Sequence, residues 1–130
     1  MLDSFRVGDL MSTALICVRD TDTIDTARQE MQRAAIHHLP VVDERQTLIG
    51  ILSSNDLFGR QRKHPRKQCV GRSMSRTVVT ASPEMPARRA LALMAEHAFH
   101  SLPVVAGDGQ LVGIVTDTDL RSASRADRGW

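Results

Sequence analysis

Two hydroxyl–carboxylate pairs stand out as residues that could do chemistry. Thr116 and Asp119 lie in GIVTDTDL (113–120), and Ser53 and Asp56 lie in GILSSNDL (50–57). In each phrase a glycine opens a short apolar run, a hydroxyl residue ends it, and an aspartate follows three places on. At a helix start this spacing makes a capping box, whose two side chains satisfy the helix's own first N–H groups. The same geometry suits a nucleotide. A helix N-terminus favours a phosphate, and the glycine permits close backbone approach. The hydroxyl can donate to a phosphate oxygen, and the aspartate can accept from a ribose diol, as acidic residues do in dinucleotide folds. Ile114, Val79 and two LPVV segments (39–42 and 102–105) offer an apolar slot for a base. Recurrence of the phrase inside an otherwise divergent duplication favours a ligand over capping alone.

The elements that must position these pairs are themselves repeated. An offset of 63 residues aligns 7–59 with 70–122 without a gap. It matches Val7/Val70, Gly8/Gly71, Met11/Met74, Ser12/Ser75, Ala27/Ala90, Met31/Met94, His37/His100, LPVV with LPVV, Leu48/Leu111, Gly50/Gly113, Ile51/Ile114, Asp56/Asp119 and Leu57/Leu120. The chain is a tandem duplication: repeat one at 1–59, a basic linker at 60–69, repeat two at 70–122, and a tail at 123–130.

Each copy reads as β-α-β-β-α, an α/β (α+β) unit. ALICV (14–18) and TVVTA (77–81) are short β-type runs. Ile24, Ala27, Met31 and Ala34 fall at helical spacing behind Asp22 as N-cap. In copy two Pro86 suits the first helical position, and Ala90, Leu93, Met94 and His97 share one face. LPVV and the run after it form a hairpin, whose turn in copy two has the glycines of GDGQ while copy one manages with ERQT. A short helix from Ser53 or Thr116 ends each copy. The strands are nearly all apolar, so both sheet faces should be covered. One copy is marginal alone, which predicts two copies packed through their sheets about a pseudo-two-fold axis.

Composition narrows the function. The 130 residues suit one domain with an aliphatic core, since the only aromatics are three Phe and one Trp. No apolar run approaches a membrane span and the N-terminus lacks the pattern of a signal peptide, so a cytoplasmic location without membrane attachment is expected. Cys17 and Cys69 have no metal spacing. The formal net charge of +2 conceals one basic loop, RQRKHPRKQ (60–68). Charge confined to a loop argues against a dedicated nucleic-acid binder.

The order of motifs in both copies, DLMS…LPVV…GIVTDTDL, resembles the cystathionine-beta-synthase (CBS) domain, here as the tandem pair known as a Bateman module, over residues 7–122. The resemblance implies a regulatory module that senses an adenosyl ligand (AMP, ADP, ATP or S-adenosylmethionine), is not an enzyme, and often forms a homodimer. It also implies a regulated protein, here unidentified, and is nearest to free-standing members. It implies two clefts, each mixing both copies. One takes Ser53, Asp56 and Ile51 with Thr77, Val79, Phe99, His100 and Ser101. The other takes Thr116, Asp119 and Ile114 with Ala14, Ile16, Ile36, His37 and His38. Aspartate holds ribose, hydroxyl holds phosphate, strand residues hold the base.

Other features weigh less. His97 and His100, with Glu96 adjacent, lack a third ligand at suitable spacing for a metal. His37 and His100 could stack on a base or bind phosphate when protonated, or be partly buried, hydrogen-bonded residues at a strand start. The 60–68 loop could reach a polyphosphate tail, touch nucleic acid, or be a solvated linker; it lacks stacking aromatics. The tail SASRADRGW (122–130) reads as disordered or as a dimer strap through Trp130. No nucleophile elbow, Walker-type loop or cysteine–histidine pair is evident. The rivals to a ligand sensor are a nucleic-acid-associated protein and a structural dimer with empty clefts.

Overall fold

The helical periodicities fold as written, with their caps displaced by one residue. A computed structural model of the chain describes residues 2–58 and 67–128. Its helices are α1 (Val7–Leu10), α2 (Ile24–Ala34), α3 (Ser54–Phe58), α4 (Ala87–His97) and α5 (Asp117–Arg128). Helix α2 is capped by Thr23, whose hydroxyl accepts from the Thr26 N–H at 3.2 Å. Asp22, the expected cap, is otherwise engaged: its carboxylate accepts from the Arg19 N–H at 2.8 Å. Pro86 is the N-cap of α4 and not its first residue. His97 is exposed, so it does not share the buried face of Ala90 and Met94.

The strands are β1 (Val18–Arg19), β2 (His38–Val42), β3 (Leu48–Ser53), β4 (Ser101–Val105) and β5 (Leu111–Thr116). Both hairpins form, β2 with β3 and β4 with β5, each with a register shift at the same place, Val41/Val42 and Val104/Val105. The turns also correspond. Gly109 has φ 91° and its counterpart Gln46 has φ 68°, so copy one places a glutamine where copy two has the residue that tolerates the left-handed region.

The predicted strands at 14–18 and 77–81 are largely absent. Only Val18–Arg19 pairs, in parallel with Val41–Val42, and Ala81 makes a single parallel bridge to Val104. The prolines of the two LPVV segments explain the loss. Ala81 donates to the Pro103 carbonyl and accepts from the Val105 N–H, at 2.9 and 2.8 Å. The next rung of a parallel ladder would need the Pro103 N–H, which proline lacks. Pro40 ends the ladder of β1 in the same way.

The chain divides into two compact units, and they are not the two repeats. One comprises residues 16–78; the other comprises 79–130 with 1–15. Each repeat therefore lends its opening segment to the other's body. In the first unit the Val70 and Gly71 N–H groups donate to the Asp22 and Asp20 carbonyls, at 2.7 and 2.9 Å. In the second, Val7 and Gly8 donate to the Met85 and Pro83 carbonyls, at 2.8 and 2.9 Å. These are the same bonds shifted by one repeat.

The cores repeat in register too. Val18, Ile24, Ala27, Met31, Leu39, Val41, Leu52, Leu57 and the lent Val70 are buried together in the 16–78 unit. Their counterparts Ala81, Ala87, Ala90, Met94, Leu102, Val104, Val115, Leu120 and the lent Val7 are buried in the other. The second set is smaller at three places, and that core adds Leu2 and Ala123, as conservation of core volume requires. Ala123 is available because α5 runs as a helix through Arg128, where the sequence reading expected a disordered tail or a strap. Gly129 and Trp130 lie outside the described residues, as do residues 59–66 of the basic loop. No described helix is long and apolar enough to cross a membrane.

Candidate functional site

Strand β5 delivers Thr116 to the start of α5, and the pair Thr116/Asp119 forms a reciprocal cap. The Thr116 N–H donates to Asp119 Oδ2 at 3.0 Å, and the Asp119 N–H donates to Thr116 Oγ1 at 3.0 Å. Both residues are half-buried. The capping role that the spacing allowed is thus realised. The first donor inside the helix is also engaged: the Asp117 N–H donates to the His100 carbonyl at 2.9 Å. To a ligand this helix start can offer side-chain chemistry: the Thr116 hydroxyl proton and the second oxygen of Asp119.

The equivalent start of α3 has the same backbone but different side chains. The Ser54 N–H donates to the His37 carbonyl at 2.7 Å. Ser53 is half-buried at the end of β3, opposite His38. Asp56 belongs to α3; its side chain lies outside the described part of the structure. A pocket of about 480 Å³ opens beside this helix start, lined by Met31, Gln32, Ala35, Ile36, His37, Ser54 and Asn55. It joins two expected site residues, Ile36 and His37, with four that sequence reasoning missed: Gln32, Ala35, Ser54 and Asn55. The offset alignment pairs Ser54 with Asp117, and that contrast was available to mark the place.

The lent segments bring expected residues of one repeat to the phrase of the other. Ser12 and Ile114 exchange two backbone bonds, at 2.8 and 2.9 Å, and Ser75 and Ile51 exchange two at 2.9 Å. Ala14 therefore lies two residues from the Ile114 bridge, within the unit that holds Thr116 and Asp119. Thr77 lies two residues from the Ile51 bridge, within the unit that holds Ser53. Both are exposed. In the 79–130 body Ser101 pairs directly with Thr116 across the hairpin, and Val79 is half-buried. Ile16 is half-buried in the other unit.

The two glycines answer to packing. A Cβ on Gly113 would stand 2.6 Å from Met11 Sδ and 3.0 Å from the Ser12 carbonyl oxygen; on Gly50 it would meet Met74 Sδ at 2.5 Å and the Ser75 oxygen at 2.9 Å. The close approach that each glycine permits is made by the protein's own lent segment.

His37 and His100 are exposed, and the partly buried alternative for them does not hold. The His100 side chain is 89% exposed, with Nδ1 3.2 Å from Asp117 Oδ2. This hydrogen bond is the main reason the Asp117 carboxyl sits below its ordinary range, with the Thr118 N–H and the charges of His100 and Arg121 assisting against desolvation. Phe99, the one exposed large apolar side chain among the described residues, stacks on His97 with centroids 5.3 Å apart and planes at 14°. Cys17 is half-buried beside Gln46, and burial pushes its thiol up, which leaves it a weak nucleophile.

Comparison with known proteins places these features in a family. The family model described as "CBS domain" matches twice, at residues 7–63 and 70–126. A homoserine O-acetyltransferase of Methanococcoides burtonii is 35% identical over 116 residues, which cover 88% of this chain and 23% of that protein. The chain spans about a quarter of the length of the curated relatives that share 34–35% identity with it. The solved structure of CBSX2 from Arabidopsis thaliana in complex with AMP superposes with a TM-score of 0.85 at 27% identity, covering 95% of this chain and 98% of that one. The CBS domain pair of protein MJ0100, in complex with 5′-methylthioadenosine and S-adenosyl-L-methionine, superposes with a TM-score of 0.78 at 29% identity, covering 94% and 97%.

Proposed function

The chain belongs to the CBS-domain family, and from that premise we propose that it is a regulatory module binding adenosyl nucleotides of the AMP, ADP and ATP class. S-adenosylmethionine, the alternative ligand, shares their adenosyl group but carries no phosphate. The observation that carries the proposal is the double placement of the hydroxyl–aspartate phrase. In each unit it ends a hairpin strand and starts a helix, beside a segment lent by the other repeat. A fold needing only two helix caps has no reason to bring Ala14 or Thr77 to the same ends. The similar structures hold AMP and S-adenosylmethionine, which share the adenosyl group that a ribose-binding aspartate would recognise.

In this reading Asp119 and Asp56 take the ribose hydroxyls, Thr116 and Ser53 take the phosphate, and the two residue sets named from the sequence supply the remaining contacts. The chain performs no chemical step. Ligand occupancy shifts a conformational equilibrium by its differential affinity for the two states. The cytoplasmic location, the homodimer and a regulated protein downstream belong to the same proposal.

The test is a melting curve with and without millimolar AMP, ADP, ATP and S-adenosylmethionine. A ligand at 100 times its Kd adds about 2.7 kcal/mol. Because Asp119 also caps α5, Asp119→Ala lowers the melting temperature without ligand, and the quantity to compare is the ligand-induced shift. A shift in the wild type that vanishes in Asp119→Ala supports the proposal. No shift with any of the four refutes it and leaves the phrases as helix caps.

A further inference from the structure

Helices α2 and α4 are equivalent in the two repeats, but they turn different side chains outward. Ala87, Ala90 and Met94 mark the buried side of α4. Away from it Arg89, Ala92, Ala95 and Glu96 are exposed. Arg89 and Glu96 are seven residues apart, which puts them within about 20° of each other around the helix and about 10 Å apart along it. That exceeds the three- and four-residue spacings at which charges pair on one helix. Neither side chain has a charged partner among the described residues. Phe99, the exposed aromatic, stands just beyond the end of this helix. At the places equivalent to Arg89, Ala92, Ala95 and Glu96, helix α2 carries Thr26, Gln29, Gln32 and Arg33. Its polar groups are engaged within the chain: Thr23 donates to the Thr26 hydroxyl at 3.1 Å, and Arg33 pairs with Glu30 at 2.6 Å.

We infer that the outward face of α4 is the surface through which two copies of this chain associate, α4 against α4 and antiparallel; the inference rests on the homodimer in the reading above. A two-fold axis makes an interface self-complementary. With the axis at Ala92 and Leu93, midway along the charged stripe, each Arg89 faces the partner's Glu96. Two copies thereby make two charge pairs that one helix cannot make alone. Alanines at 92 and 95 allow the backbones a close approach, since the distance between packed helices is set by the side chains at the contact. Helix α2 is unsuited to the same contact. Against its own copy it would set arginine opposite threonine around a centre of glutamines. Packed antiparallel on α4 it would set Arg33 opposite Arg89 of the partner subunit, and like charges in juxtaposition suppress a wrong pairing. The association is therefore like with like, through the second repeat.

Charge reversal tests this, read by sedimentation velocity over a range of concentrations. The full chain is compared as wild type, Arg89→Glu, Glu96→Arg, the double variant, and an equimolar mixture of the two single variants. Each single reversal is expected to raise the dimer Kd about ten-fold, because two exposed attractive pairs become two repulsive ones, and the loss should shrink in high salt. The double variant, which exchanges the two charges, is expected to recover the wild-type Kd. The mixture is expected to associate more tightly than either variant alone, since one chain then carries two acids and the other two bases. Arg33→Glu, at the equivalent place on α2, is expected to leave the Kd unchanged. A wild-type Kd in both single variants, or no recovery in the double variant, overturns this inference alone. A wild type that stays monomeric at every concentration overturns the homodimer reading and this inference with it.

Discussion

Gly113 lies against Met11: a side-chain carbon on the glycine would come within 2.6 Å of the methionine sulfur and 3.0 Å of the Ser12 carbonyl oxygen. The contact explains why GI and MS recur together at one offset. The glycine sits in the middle of a strand, a position that disfavours it, and is kept there by a neighbour a hundred residues away. Gly113→Ala and Gly50→Ala are each expected to destabilise the chain by about 1–3 kcal/mol, as overpacking does. In a double-mutant cycle Met11→Ala should recover part of the Gly113→Ala loss, because the flexible thioether gives way while the Ser12 oxygen does not. Urea denaturation of the four species measures it, and additive effects would show that the two residues are not in contact.

Among the described residues, three that are not glycine hold a positive φ: Ala35 at 55°, Ala98 at 56° and Gln46 at 68°. Ala35 and Ala98 are the equivalent C-terminal caps of α2 and α4, where glycine is the usual residue. Replacing either alanine by glycine should stabilise the chain by about 0.5–1 kcal/mol, since the left-handed conformation is disfavoured with a Cβ and free without one. Gln46→Gly should follow the same sign with a smaller gain, because it also gives up the 3.9 Å contact with the Cys17 sulfur. Denaturant midpoints check all three.

Acid should weaken the 79–130 body through Asp117. Its carboxyl is held below the ordinary value by the hydrogen bond with His100. A group with a lowered folded-state pKa contributes stability that is fully present above its unfolded value and disappears as pH falls through the folded one. Stability should therefore decline below about pH 4, a carboxylate's usual range, and Asp117→Asn should flatten that part of the profile. Melting temperatures between pH 6 and 3 for both proteins decide it. The pair is exposed, so the difference should be small and should shrink in high salt.

The exchange of opening segments predicts where a local defect is felt. Val7 belongs to repeat one and is buried in the core completed by Leu102 and Leu120. Val7→Ala should cost about 1–3 kcal/mol, with hydrogen-exchange protection lost first in residues 79–123 and less in the rest of repeat one. Val70→Ala should do the converse, loosening residues 16–58. Loss of protection within the mutated repeat's own body would contradict the exchange.

The expected site was only partly legible. Thr116 and Asp119 could be named from three-residue spacing because a helix start is a local device, and local geometry is written in adjacent residues. Gln32, Ser54 and Asn55 escaped notice because a pocket wall is defined by what faces it, and α2 and α3 are brought together only by the hairpin between them. The misplaced strand at 77–81 has a similar cause. TVVTA has strand composition, but its pairing depended on Pro103, which lies on another strand and lacks the N–H the ladder required.

The amino-acid sequence by itself determined the duplication, the hairpins, the helical faces and the paired hydroxyl–carboxylate phrases, all of which follow from periodicity, turn chemistry and self-similarity along the chain. Only the tertiary structure decided which body each opening segment joins, what the glycines make room for and which histidine meets a carboxylate. Those outcomes turn on contacts between distant residues, such as Val7 with Met85 and Met11 with Gly113, whose energies depend on shape and hydrogen-bond partners that no local pattern encodes.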